Sequence, residues 1–176
     1  MTRNSRHALC IDICVDSDLW KDPGGAKACV RRALAEAAAA LSKAPAELAV
    51  VLTDDTAVCL LNRQWRGIAK ATNVLSFPAA AGLAAGDPPL IGDIVLAYQT
   101  IAREARAKRK PFAHHLAHLA VHGYLHLIGY DHENDTDAAA MEDAERHVLR
   151  RLAIPDPYRR RPAAAKKAVK KPANKR

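Results

Sequence analysis

His122, His126 and His132 are the residues of this chain whose type and spacing best suit chemistry. They lie in the run His122-Gly123-Tyr124-Leu125-His126-Leu127-Ile128-Gly129-Tyr130-Asp131-His132, and six of the eight histidines fall between His114 and His132. Neutral imidazole is a common metal ligand. Three protein ligands on a tetrahedral ion leave the fourth position to water or substrate, which separates a catalytic site from a closed structural one. Zn²⁺ is the first expectation for an all-imidazole set, although nickel, copper and iron also accept imidazole.

The spacing needs a helix beneath it. Leu116, Leu119, Ala120 and Leu127 recur at helical intervals, which predicts a helix over Ala113–Leu127 that Pro111 starts. Residues four apart share a helix face, so His122 and His126 can point at one ion. Gly129 follows the last periodic residue, where a left-handed residue ends a helix at little cost. The chain then turns, and His132 can return from the loop. His118, one turn earlier, reads either as a partner of a ligand or substrate, or as an ordinary core or surface histidine. His114 and His115 are expected in solvent. Asp131 either orients a ligand histidine or caps the turn.

The spacing His-x-x-x-His-x-x-Gly-x-x-His is shared with the metzincin proteases. Those carry a general-base Glu directly after the first histidine, and here that position is Gly123. The ligand geometry is retained and the base is absent, which argues against ordinary peptide hydrolysis.

Further elements follow from periodicity. Leu9–Val15, Leu48–Thr53, Val74–Phe77 and Ile91–Tyr98 read as strands, and Ala79–Pro89 as a small-residue loop. Ala26–Leu41 reads as an Ala-rich helix. Asp54 and Asp55 can cap a helix through Leu60, Leu61 and Trp65. Thr100–Lys108 is expected to be helical with a basic face, and Asp137–Leu152 to be a last helix burying Met141, Ala144, Val148 and Leu152. The order β-α-β-α-β-β-α-α-α predicts an α+β fold: a small mixed four-stranded sheet covered by helices, with a zincin-like helix carrying the metal site.

The 176 residues suit one domain, and no apolar run of about 18 residues points to a membrane span. Cys10, Cys14, Cys29 and Cys59 form no Cys-x-x-Cys pair or disulfide framework and read as buried free thiols in a reducing cytoplasm. The net charge is +8, but nine Lys or Arg and no acid lie between Tyr158 and Arg176, which leaves residues 1–157 one unit negative. The expected organisation is a single domain over residues 1–157 and a basic, disordered tail over 158–176, which reads either as a source of salt-dependent affinity for RNA or as a solubilising extension without a partner.

Three blocks together carry a family resemblance. The histidine run is one. Leu61-Asn62-Arg63-Gln64-Trp65-Arg66 followed by Thr72-Asn73-Val74-Leu75-Ser76-Phe77-Pro78 is the second, and Ile91-Gly92-Asp93-Ile94 is the third. In this order they resemble the YbeY family of bacterial metal-dependent endoribonucleases. Asn73 departs from the pattern, which commonly has Asp there, so an acid/base role at that position is put in doubt.

The resemblance implies a zinc-bound endoribonuclease that prefers single strands. It also implies work on ribosomal RNA, including the 3′ end of 16S rRNA, at the small ribosomal subunit and in ribosome quality control. It carries an arginine that serves activity onto Arg66. Phosphodiester cleavage builds negative charge on equatorial oxygens, and a guanidinium fork can bond two of them. Lys70, Arg63, Ser76 and Asp93 are weaker candidates near the site. The basic face with Arg103, Arg106, Lys108, Arg109 and Lys110 reads as a solvated helix face or as a contact for phosphates. Trp65, Tyr124 and Tyr130 can stack on bases or pack in the core. Two other readings stay open: a metallopeptidase-like hydrolase, and a non-catalytic ribosome assembly factor with a structural metal.

Overall fold

In the computed structural model, residues 9–21, 25–43, 45–80 and 88–159 are described. Four strands form one sheet: β1 (Cys10–Val15), β2 (Glu47–Thr53), β3 (Val74–Pro78) and β4 (Leu90–Ala97). Their spatial order is β1-β2-β4-β3. The first three run parallel, and β3 pairs antiparallel with β4. Five helices accompany them: α1 (Ala26–Ala40), α2 (Asp55–Arg66), α3 (Tyr98–Ala107), α4 (Phe112–Leu127) and α5 (Asp135–Arg151). This is the expected α+β architecture in the expected element order. The basic tail beyond Arg159, the first eight residues and positions 81–87 of the small-residue loop lie outside the described residues. Among those described, no helix is long and apolar enough to cross a membrane.

Alternation along β2 divides the interior in two. Leu48, Val50 and Leu52 face the larger core, built with α1, α4 and α5, while Val51 packs towards a smaller cluster of Val58, Leu75, Val95 and Ala97 beneath α2. In α1 the buried residues Val30, Ala33, Leu34, Ala37 and Ala38 form one helical stripe. The Trp20 indole closes the larger core beside Tyr98 and Phe112 and donates to the Thr53 carbonyl at 2.7 Å. The helix α2 is bounded at both ends by local devices. Asp54 accepts from Ala57 N–H at the start of α2, and Gly67, with φ +72°, ends it.

Two expectations are corrected. Cys10 and Cys14 are exposed, and Cys29 and Cys59 are only partly buried. On β1 it is Ile11 and Ile13 that face the core, so Cys10, Asp12 and Cys14 take the opposite side of an edge strand. His115 is buried at 1 % exposure, with Nε2 2.7 Å from Glu104 Oε2. The α4 helix is covered on more of its circumference than an amphipathic surface helix, which carries His115 inside.

The helix α4 crosses β3 and β4 at Gly123. A Cβ there would stand 3.1 Å from Ile94 Cγ2 and Ser76 Oγ and 3.3 Å from Val74 Cγ2. The Ser76 hydroxyl also donates to the Gly123 carbonyl at 3.1 Å. Ser76, a candidate substrate contact in the sequence, thus spends its hydroxyl on seating this helix. The glycine that replaces the protease Glu is a packing requirement of the helix–sheet contact. Gly123→Ala gains about 1 kcal/mol of helix propensity and loses about 1–3 kcal/mol to overpacking, so a small net destabilisation is expected. Gly123→Glu drives a carboxylate into the same contact and is expected to lower the urea midpoint sharply. An unchanged midpoint for Gly123→Glu would refute this account of the crossing.

Candidate metal centre

Two imidazoles of the site sit on consecutive turns of α4, and the third arrives from the loop behind it. The last carbonyls of α4 are satisfied locally: Gly129 N–H donates to the His126 carbonyl at 3.1 Å and Tyr130 N–H to the Leu125 carbonyl at 2.9 Å, with Gly129 at φ +95°. Asp131 Oδ1 then accepts the His132 N–H at 2.7 Å. Of its two sequence-level roles, Asp131 takes the turn-capping one. This brings the His132 ring nearly parallel to His122, with centroids 5.7 Å apart, and 5.0 Å from His126. One ring nitrogen from each histidine lies within 4.8 Å of the other two. The three residues that the spacing singled out are therefore brought together.

Hydrogen bonds fix which nitrogens face one another. His122 Nδ1 lies 2.7 Å from Glu145 Oε1, and His126 Nδ1 lies 3.1 Å from the Tyr130 carbonyl. Both neighbours accept only, so the proton of each ring belongs on Nδ1 and the lone pair on Nε2. Those two Nε2 atoms are 3.2 Å apart. Two lone pairs at that distance repel, and a cation between them turns the repulsion into coordination. With metal–nitrogen bonds of about 2.0–2.1 Å, tetrahedral donors stand about 3.3–3.4 Å apart. The donor set thus fits a zinc-sized ion. Burial, with the neighbouring His122 and His132, pushes the His126 pKa below its ordinary value, which favours the neutral form that coordinates. His132 is exposed and His122 and His126 are partly buried, so the cluster opens to solvent on one side.

The residue that sequence reasoning missed is Glu145. It lies on α5 with no exposed surface, and its carboxylate receives His122 Nδ1 and His118 Nε2, each at 2.7 Å, together with the Tyr158 hydroxyl. Burial would raise its pKa. The bonds from His118 and His122, the charge of His118 and the Tyr158 hydroxyl outweigh burial and hold it down at about 2. The signal was present in the sequence, because Glu145 falls inside the apolar stripe of Met141, Ala144, Val148 and Leu149. His118 takes the partner role, through this carboxylate. Tyr158, assigned from sequence to the tail, packs edge-on against His118 and under the Arg146 guanidinium.

Other candidates stand elsewhere. Arg66 ends α2 and is exposed; it lines a groove of about 540 Å³ with Asn62, Lys70, Arg103 and Glu104, whose lining includes none of the three histidines. Arg103 is engaged there with Thr100 and Asp55. Asn73 donates to both Glu104 oxygens at 3.0–3.1 Å and accepts the Val74 N–H. An Asp at this position would set two carboxylates against each other, so the amide suits this chain's Glu104. Asp93 is exposed on β4. Tyr124 is core, at 1 % exposure, and Trp65 is 66 % exposed beside Phe77.

The family model described as Endoribonuclease YbeY matches residues 19–153. The chain belongs to the YbeY family. Its relatives named Endoribonuclease YbeY include one from Rhodopseudomonas palustris (strain BisB18), 56 % identical over 153 residues, with 84 % of this chain and 90 % of that protein covered. Another, from Nitrobacter winogradskyi, is 53 % identical, with 84 % and 80 % covered. A third, from Bradyrhizobium diazoefficiens, is 52 % identical over 157 residues, with 86 % of each covered. Membership places this chain among the enzymes that cut RNA internally, and the histidine cluster gives this YbeY-family chain a place for a metal ion.

Glu145 sets the His122 proton and ring orientation, so its loss should weaken metal binding with little change in shape. Glu145→Gln is expected to lower zinc affinity about 10–100-fold, read by competition with a chromophoric chelator. Affinity equal to wild type would remove the orienting role.

Proposed function

We propose that this chain is a zinc-dependent endoribonuclease specific for single strands. Its targets are ribosomal RNA, including the 3′ end of 16S rRNA, and the small ribosomal subunit, in the cytoplasm, where it serves rRNA maturation and ribosome quality control. The observation that carries the zinc reading is the pair of His122 and His126 lone pairs aimed at each other 3.2 Å apart, with His132 beside them. Family membership supports RNA as the substrate.

His122, His126 and His132 would hold the ion. When bound, zinc supplies a Lewis acid for a phosphoryl oxygen and makes water acidic enough to attack near neutral pH. Glu145 keeps the His122 proton on Nδ1, so that Nε2 is free to coordinate. Position 123, where the related protease spacing carries its general base, is a glycine, so that base is absent and a peptidase is disfavoured. Arg66 is assigned the charge that develops on the non-bridging oxygens. Its exposed guanidinium on the groove with Lys70 and Arg103 suits a phosphate backbone laid along that side.

Purified protein is expected to carry about one zinc per chain, to cleave single-stranded RNA, to lose cleavage with a chelator and to regain it with zinc. His126→Ala should lose both zinc and cleavage, and full zinc occupancy in that variant would sink the ligand assignment. Arg66→Ala should keep the fold and the zinc while kcat falls on the order of 10²-fold. Unchanged turnover would remove the arginine from the chemistry.

A further inference from the structure

Beside the metal centre, the end of α3, the first half of α4 and the chain after α5 enclose a second groove of about 740 Å³. That is within the size range of ligand sites, about 300–1,000 Å³. Its rim carries Lys108, Arg109 and Arg159, and its walls include the apolar Ile154, Pro155 and Pro157. The one acid of the lining, Asp156, is already engaged by Arg146 at 3.6 Å and by the Tyr158 N–H. Lys110 donates to the Pro157 carbonyl at 2.8 Å and so fastens the two sides of the groove together.

His114 and His118 of α4 reach into the lining. His118 stands one helical turn before His122, about 6 Å along the axis. It shares the Glu145 carboxylate with that histidine. The groove is therefore joined to the metal centre through one helical turn and one shared carboxylate. Charge decides what fits it. The sequence past Arg159 adds eight further Lys or Arg and no acid, so the chain's own tail has the same sign as the rim. A polyanion with flat apolar groups has the complementary chemistry.

The geometry points to a binding subsite for the unpaired nucleotides that flank the cleavage point, an inference that rests on the reading of this chain as a single-strand RNA nuclease. Phosphates meet Lys108, Arg109 and Arg159, and bases lie against the proline-rich wall. The basic corner at the end of α3 thus serves substrate binding, while Arg103, on the same helix, belongs to the other groove.

The test compares the zinc-loaded full chain with the double variant Lys108→Ala/Arg109→Asn. Asn tolerates the left-handed backbone at 109, where φ is +50°. The exposed Lys108–Glu104 pair that is lost contributes little. Substrates are a single-stranded RNA of a dozen nucleotides and a dinucleotide too short to reach the groove. On the long RNA, kcat/KM is expected to fall at least tenfold through KM with kcat unchanged, and the log–log salt dependence to flatten by about 1.4, two phosphate contacts at ~0.7 each. Dinucleotide cleavage, zinc content and thermal midpoint should match wild type. Equal kcat/KM and equal salt slope on the long RNA overturn the subsite and leave the nuclease reading standing. A matching loss on the dinucleotide also overturns it, because the cations would then act at the reacting centre or through the fold. Zinc-loaded wild type inert on both RNAs removes the nuclease reading, and the subsite falls with it.

Discussion

Taking a carboxylate out of water costs several kcal/mol unless charged or strongly polar partners replace the water. Glu145 meets that constraint with three donors at once: His118 and His122 from α4 and the Tyr158 hydroxyl from the chain after α5. The bond set works in both directions. It keeps the carboxylate ionised in the interior, and it fixes the hydrogen of His122 on the side away from the other imidazoles. Losing any one donor would leave the acid partly unpaired in a dry place. The positions of α5 and the segment ending at Tyr158 are thereby tied to the orientation of a ring on α4.

The opposite side of α4 is held just as firmly. At Gly123 its backbone comes close enough to β3 and β4 for Ser76 to bond its carbonyl. With the sheet on one flank and α5 on the other, the helix presents His118 and His122 to the Glu145 carboxylate and leaves them, with His126, only partly covered. The loop through Gly129 returns His132 to the end of that row. Convergence of the imidazoles is thus a consequence of how both flanks are packed.

Periodicity made most of the fold readable. All nine anticipated strands and helices appear in order among the described residues, with ends shifted by two residues or fewer, because apolar periodicity marks them and some carry a local boundary such as Asp54, Gly67 or Gly129. The histidine cluster was readable for a similar reason, since ligand spacing of four on a helix is local information. Glu145 was readable only as an acid inside the apolar stripe of α5; its partner was not, because His122 lies 23 residues away on another helix. His115 was misplaced because neighbouring histidines on a helix look alike until the packing shows which side faces Glu104. The cysteines misled for a related reason: burial on β1 depends on which face of an edge strand is covered.

That edge has a chemical consequence of its own. Cys10 and Cys14 are both exposed, four residues apart on one extended strand, and such a strand advances about 3.3 Å per residue. Their backbones therefore stand roughly 13 Å apart, far beyond the ~7 Å limit for a bridge between them. An oxidant reaching this rim can cap each sulfur separately or link one molecule to another, but it cannot close the pair into an internal loop.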